Sequence, residues 1–314
     1  MKESLVILTG PTAVGKTKLS IALAKAIGGE IISADSMQIY KHMDIGSAKI
    51  CPKEMQGIPH YLVDELEPWE EFHVVRFQKM AMEAMEKIRR HGHIPILVGG
   101  TGFYIQAIVG NVDFTENVSS PYRRELEALA AEKGVHILHR ELQKVDSASA
   151  AVIHENNVKR VIRALEFYQM TGRKISEHNE EQRKKESPYD YAYFVLNDDR
   201  EKLYARIEQR IDEMVEQGLV EEVVRLKEMG CHQGMVSMQG LGYKEMLAYL
   251  DGTYSFQEAL DILKRDTRRF AKRQLTWFRR EQDIIWLHKG DYAYQEEKIL
   301  AAMLNILKEK GIIR

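Results

Sequence analysis

Short apolar runs and stretches with helical spacing take turns along the first hundred residues. Leu5–Leu8 is a strand-like run, followed by a glycine-containing turn and then by Lys18–Ile27 with helical spacing. Glu30–Ser33 reads as a second short strand. Over His73–Arg90 the apolar residues fall at Val74, Phe77, Met80, Ala81, Ala84, Met85 and Ile88. That spacing of three and four predicts an amphipathic helix. Ile94–Val98 is a buried-strand run that stops at Gly99-Gly100. Strands alternating with helices predict a parallel sheet with helices on both faces.

The strand signal disappears from about Ser119 to Ser187. Pro121–Lys133, Val135–Lys144 and Asn157–Met170 read as helices, Thr171-Gly172 as a helix stop, and Asn179–Ser187 as a polar, charged stretch. Strand character returns at Tyr191–Leu196, so the sheet resumes behind an all-helical insertion. Helices are expected over Lys202–Gln217, Val220–Met229 and Phe256–Arg279, then a strand at Ile284–Leu287 and a C-terminal helix. The expected domains are therefore a core of 1–118 with 188–314, interrupted by a helical insertion over 119–187.

Composition narrows the class without naming it. The 314 residues are 44% hydrophobic and 29% charged, with 45 Lys+Arg against 47 Asp+Glu and a net charge of −2. A core of ordinary size is expected, and no apolar run approaches a membrane span. The N-terminus carries no signal-peptide pattern, and two cysteines, Cys51 and Cys231, are too few for a disulfide framework. A cytoplasmic location is expected, and the near-zero net charge gives no sign of a nucleic-acid partner.

Gly10-Pro11-Thr12-Ala13-Val14-Gly15-Lys16-Thr17 fits G-x-x-x-x-G-K-[ST] between a strand and a helix, the context such a motif requires. Its glycines let successive N–H groups converge, Lys16 adds a charge, and Thr17 supplies a hydroxyl suited to Mg²⁺. The fold expected is thus α/β: a P-loop NTPase-like parallel sheet flanked by helices, with an all-helical insertion domain. The loop calls for a bound di- or triphosphate, with ATP as the default occupant. The usual strand ending in a metal-binding Asp is missing, because Ile94–Val98 runs into Gly99-Gly100-Thr101.

Asp35 follows the second strand, and ligands of open parallel sheets bind outside the carboxyl ends of strands. It suits a general base, a metal ligand, or simply a turn cap. Thr101 has a similar place after the next strand. Arg206 and Arg210, one helical turn apart, suit either a pyrophosphate clamp or a solvated face with Glu–Arg pairs. Eleven histidines form no His-Glu-x-x-His and no Cys/His cluster, so no protein-ligated transition metal is expected.

The near-zero charge conceals a segregation. Lys264–Arg280 holds eight basic residues and one acid, interleaved with Phe270, Trp277 and Phe278. The remainder then holds 37 basic against 46 acidic residues. Such a stripe attracts a polyphosphate backbone. Smaller clusters occur at Arg123-Arg124 and Lys159-Arg160-Val161-Ile162-Arg163.

Together these stretches resemble the bacterial tRNA dimethylallyltransferases (isopentenyl-tRNA transferases). The matching segments are Gly10–Thr17, Ser33–Tyr40, Met43–Lys49, Gly99–Tyr104, Arg163–Glu166, Gln239–Glu245 and Arg273–Phe278, in family order. The resemblance implies transfer of a dimethylallyl group from its diphosphate to the exocyclic amine of the adenine 3′ to the anticodon. It implies that the P-loop, with Lys16 and Thr17, holds dimethylallyl diphosphate and Mg²⁺, and that Arg210 is a further clamp. Asp35 would take the amine proton, Thr101 would orient the reacting groups, and Ser36, Met37 and Gln38 would touch the flipped base. Arg124, Lys159–Arg163, Gln239, Gly240, Leu241, Gly242, Tyr243, Arg269, Lys272, Arg273 and Arg280 would hold the anticodon stem-loop, with the enzyme acting as a monomer. Ser47 and Ile50 stand where the family usually has Thr and Pro, and the zinc finger of eukaryotic relatives is absent. Two other readings remain: a P-loop small-molecule kinase using Asp35 on a hydroxyl acceptor, and an RNA-binding switch driven by nucleotide hydrolysis.

Overall fold

Six parallel strands form one sheet in the order β3-β2-β4-β1-β5-β6, in a computed structural model that describes residues 2–114 and 121–314. The strands are β1 (Glu3–Thr9), β2 (Gly29–Ser33), β3 (His60–Tyr61), β4 (Ile94–Gly99), β5 (Tyr189–Asn197) and β6 (Ile284–His288). β1 and β2 carry unbroken buried stretches because a parallel sheet is covered on both faces. The register sets Thr9 beside Gly99 and Val195, and Ser33 beside Val98. The carboxyl ends of the four central strands are thereby level, and the loops leaving them share one edge.

The helices of the first part are α1 (Lys16–Ile27), α2 (Pro52–Met55), α3 (Val74–Arg90) and α4 (Gly102–Val109). The α3 stripe of Phe77, Ala81, Ala84, Met85 and Ile88 is the buried one, as its period requires. β3 and α4 have no counterpart in the sequence pattern. β3 is two residues long, and α4, with Gly102, Tyr104, Ile105, Ala107 and Ile108 buried, lacks the polar face that makes a helical period legible.

The chain divides into two compact units: residues up to Val109 with Pro188–Arg314, and Gly110–Ser187. The boundary expected at 118/119 lies outside the described residues. The second unit holds α5 (Pro121–Lys133), α6 (Val135–Val145), α7 (Ser147–Val152), α8 (Val158–Thr171) and α9 (Ile175–Lys184). Leu126, Leu138, Leu142, Ala150, Val161, Ile162 and Leu165 form its own core. The buried Asp146 carboxylate accepts from the backbone and hydroxyl of both Ser149 and Ser176, tying α7 to α9. The polar, charged stretch at Asn179–Ser187 is helical as far as Lys184. Exposed pairs such as Lys184–Glu180 at 2.7 Å, four residues apart, support a helix with no apolar face of its own.

The first unit continues with α10 (Arg200–Glu216), α11 (Leu219–Glu228), α12 (Tyr243–Leu250), α13 (Phe256–Phe278) and α14 (Glu296–Glu309). Ser255 opens α13 with a capping box: its hydroxyl accepts from Glu258 N while Glu258 accepts from Ser255 N. Ala271, Gln274 and Phe278 form the inward face of α13.

Candidate active site

The loop between β1 and α1 is shaped by its glycines. Gly10 has φ +146°, and a Cβ there would lie 2.2 Å from the Leu196 carbonyl oxygen on β5, so no larger residue fits. Gly15, at φ +100°, turns the chain into α1. Lys16 opens that helix and folds back, donating to the carbonyls of Gly10 at 2.9 Å and Pro11 at 2.8 Å. Burial lowers its pKa to about 8; the Asp35 charge opposes that shift and the Arg210 charge adds to it. Pro11 has no N–H and Val14 is fully buried, so these two shape the cradle without offering a side chain to a ligand.

A cavity of about 460 Å³ opens beside this loop. Thr12, Ala13, Gly15, Lys16, Thr17, Asp35, Gln38, Arg206, Arg210 and Gln274 are among its lining residues, so the structure gathers most of the expected diphosphate site. Burial lowers the Arg210 pKa, with the Asp35 charge as the largest opposing influence. Arg206 has a different part. Its guanidinium pairs with Asp198 at 2.6 Å and donates to the Ala13 carbonyl at 3.1 Å, so it braces the loop. Asp35 Oδ1 accepts from Met37 N at 2.8 Å, an Asx turn that fixes the carboxylate. Thr101 is not among the lining residues: it stands just before α4, and its N–H donates to Ala34 O at 3.2 Å.

Three residues that the motifs did not single out complete the arrangement. Gln274 on α13 accepts from Thr12 N at 2.9 Å and donates to Gly100 O at 2.8 Å, joining the phosphate loop to the end of β4. A Cβ on Gly100 would lie 2.2 Å from the Gln274 amide, which is why a glycine stands there. Lys289, just past β6, donates to Val14 O at 3.4 Å and adds a cation behind the loop, its pKa lowered by burial. The buried Glu222 accepts from three successive N–H groups, Asp44, Ile45 and Gly46, at 2.9, 2.8 and 3.1 Å. The signal for Gln274 was inside the Arg273–Phe278 motif, hidden by its basic neighbours.

Other expected contacts need correction. Val161 and Ile162 are 1% and 4% exposed in the core of the helical unit, so they cannot meet an RNA. Tyr243 is fully buried; its hydroxyl donates to Glu222 at 2.9 Å and accepts from Ser47 N at 3.0 Å, so it props the 43–49 loop from beneath. Gly242 is buried with it, and Gly240 packs under Met37, where a Cβ would lie 2.4 Å from the sulfur. Gln239 is exposed, and Leu241 and Ser36 are half-buried.

The basic helix is only partly free. Lys264 and Arg268 reach across to Asp212 and Glu208 on α10, while Arg265 and Arg269 share Asp266. Lys272, Arg273, Arg279 and Arg280 face solvent. In the helical unit Arg124, Lys159 and Arg160 are exposed, whereas Arg163 lies 3.9 Å from the buried Glu166, which also holds Arg123 at 2.6 Å.

A glycine-rich loop at the end of a central parallel strand, with a cationic cavity beside it and a fixed carboxylate lining that cavity, places the protein among enzymes with a P-loop-like fold. Within that class the chain belongs to the IPP transferase family: the model of that description matches residues 38–281, and one described as isopentenyl transferase matches residues 3–68. A relative named tRNA dimethylallyltransferase from Lachnoclostridium phytofermentans is 62% identical over 99% of this chain and all of that one. The full-length tRNA isopentenylpyrophosphate transferase of Bacillus halodurans is a similar solved structure, with TM-score 0.74, 44% identity, and coverage of 99% and 98% of the two chains. A eukaryotic dimethylallyltransferase acting on tRNA gives TM-score 0.80 at 32% identity, covering 91% of this chain and 74% of that one.

Proposed function

We propose that this protein transfers a dimethylallyl group from dimethylallyl diphosphate to the exocyclic N6 amine of the adenosine 3′ to a tRNA anticodon, releasing diphosphate. One observation carries the reading: Lys16, Arg210 and Asp35 line a single cavity, two cations for a diphosphate and one carboxylate for a proton. The amine nitrogen bonds to the allylic carbon as the C–O bond breaks, and that electron pair leaves on the diphosphate oxygen. Lys16, Arg210 and the N–H groups of the loop stabilise the departing charge. Asp35 accepts the amine proton, completing the balance. The adenine must leave its stack to reach the cavity, as in other enzymes that modify bases. Ser36, Met37 and Gln38, next to Asp35, are the residues to receive it. Thr101, just before α4 and next in sequence to the lining residue Gly100, is assigned to orient the reacting groups.

The oxygen donors on hand, the Thr17 hydroxyl and the Asp35 carboxylate on the same cavity, suit Mg²⁺, a hard ion that keeps waters and phosphate oxygens as ligands. When bound it would neutralise charge on the diphosphate. Arg124, Lys159, Arg160, Arg163, Gln239, Leu241, Arg269, Lys272, Arg273 and Arg280 are assigned to the anticodon stem-loop. Action as a monomer is part of this reading, and among the described residues no helix is long and apolar enough to cross a membrane. A tRNA substrate supports a cytoplasmic location.

The test is single-turnover prenyl transfer with Asp35→Ala. Binding of tRNA and of dimethylallyl diphosphate should stay within about threefold, while transfer falls by about 10²–10⁴. Unchanged transfer would remove Asp35 from the role of base. Label passing from ATP to a small molecule, with none from the prenyl donor to tRNA, would overturn the reaction in favour of a kinase.

A further inference from the structure

At the opposite end of the sheet from the cavity, the amino ends of β2 and β4 lie side by side, with Glu30 paired to Pro95. Glu30 is 2% exposed, an unusual place for a carboxylate, since a buried charge is costly without partners. Its partners are specific. Oε1 lies 2.9 Å from His91 Nδ1 and 2.5 Å from His93 Nδ1, and Oε2 accepts from the Tyr61 hydroxyl at 2.6 Å. Both imidazoles belong to the tight turn His91-Gly92-His93 between α3 and β4, and both are nearly half exposed. The three ligand atoms lie within 4.8 Å of one another, and among the described residues no other group of histidine, cysteine and carboxylate converges in this way.

We propose that Glu30, His91 and His93 form a binding site for a borderline transition ion, Zn²⁺ by its donor set, that staples the α3–β4 turn to the start of β2. Two imidazole nitrogens and one carboxylate oxygen are a ligand set that Zn²⁺ accepts, with water in the fourth position. Bond lengths near 2.0–2.2 Å ask the ligand atoms to stand roughly 3.0–3.5 Å apart, a small opening from the present spacing. The two histidines can supply it, because they sit on a solvent-facing turn while Glu30 is anchored in a strand. Tyr61 plays the outer part usual at such sites, a hydrogen bond that orients the ligating carboxylate. Sequence spacing hid the site, since its acid stands 61 positions before His91. It owes nothing to the proposed reaction.

The test is calorimetric titration of the full chain with ZnCl₂ at pH 7.5, with excess MgCl₂ present to occupy oxygen-rich sites. One Zn²⁺ should bind in the micromolar range, and saturating ion should raise the melting temperature by roughly 3–6 °C. His91→Ala/His93→Ala should lose that binding at least 100-fold while its circular dichroism and its prenyl transfer stay unchanged. Tyr61→Phe should weaken binding by about tenfold. Should the double variant fold poorly, His93→Gln alone should cost at least tenfold. Zn²⁺ binding of equal affinity and stoichiometry in the histidine variants would overturn the proposal, as would wild-type affinity no tighter than millimolar.

Discussion

Lys16 carries two opposed demands. It must be charged to hold a diphosphate, yet it sits in a buried place that favours the neutral form and lowers its pKa to about 8. Below that value the free enzyme bears the ammonium; above it the cradle loses a charge. We therefore expect kcat/KM for dimethylallyl diphosphate to fall about tenfold per pH unit above pH 8, measured with tRNA saturating. Stability has the opposite sign. A lysine whose folded pKa lies below its unfolded value binds fewer protons when folded, so the ligand-free protein gains stability as pH rises from about 8 towards 10.5. In Lys16→Met that rise in stability between about pH 8 and 10.5 should be absent, by calorimetry across the range, and transfer should be lost. An unchanged rise in the variant would sink this account. Gln274 makes a second residue-scale case. Gln274→Ala removes a donor and an acceptor that serve two buried backbone groups, worth roughly 2–3 kcal/mol together, and should raise KM for the prenyl donor. Gly100→Ala should reproduce that phenotype, because its methyl group would occupy the place of the same amide.

At the scale of elements, the 43–49 loop is held from below. Glu222 on α11 gathers three N–H groups, and Tyr243 on α12 closes the arrangement through Ser47. Tyr243→Phe should cost about 1–2 kcal/mol of stability by calorimetry and leave tRNA affinity within a factor of about two. A large specific loss of tRNA affinity at unchanged stability would return Tyr243 to the RNA contacts. These two helices also mark what was legible in the sequence. Amphipathic helices such as α3 and α10 announced themselves by period, and β1, β2 and β4 by apolar runs beside glycines. α4 did not, because its exposed position is held by Phe103 and no polar face marks the period. α12 did not, because its eight residues follow a glycine-rich turn that reads as loop. The phosphate loop and the place of Asp35 after β2 were legible because local motif and topology coincide there, whereas spacing left Arg210 open between a clamp and a solvated face and only the family resemblance singled it out. Gln274, Lys289 and Glu222 were not, since each acts on a loop more than 170 positions away, and only the folded sheet brings them together.

For the whole molecule, neutrality is an average over unlike surfaces. Of the eight cations in Lys264–Arg280, four are engaged with Asp212, Glu208 and Asp266, which leaves Lys272, Arg273, Arg279 and Arg280 as the outward field of that helix. Binding of tRNA should weaken steeply with salt. Replacing Lys272 and Arg273 by Ala should flatten the slope of log K against log salt by roughly 0.7–0.9 for each phosphate that is no longer neutralised. A slope that does not change would exclude those side chains from the RNA backbone.

The ties around the phosphate loop also bear on when the enzyme becomes competent during its synthesis. Thr12 meets Gln274 across 262 positions, and Val14 meets Lys289 across 275. The loop leaves the ribosome well before its brace and its rear cation do, since more than 250 positions separate them. A nascent chain therefore carries an unbraced cradle until α13 and β6 have emerged, and grip on the prenyl donor arrives only when they dock.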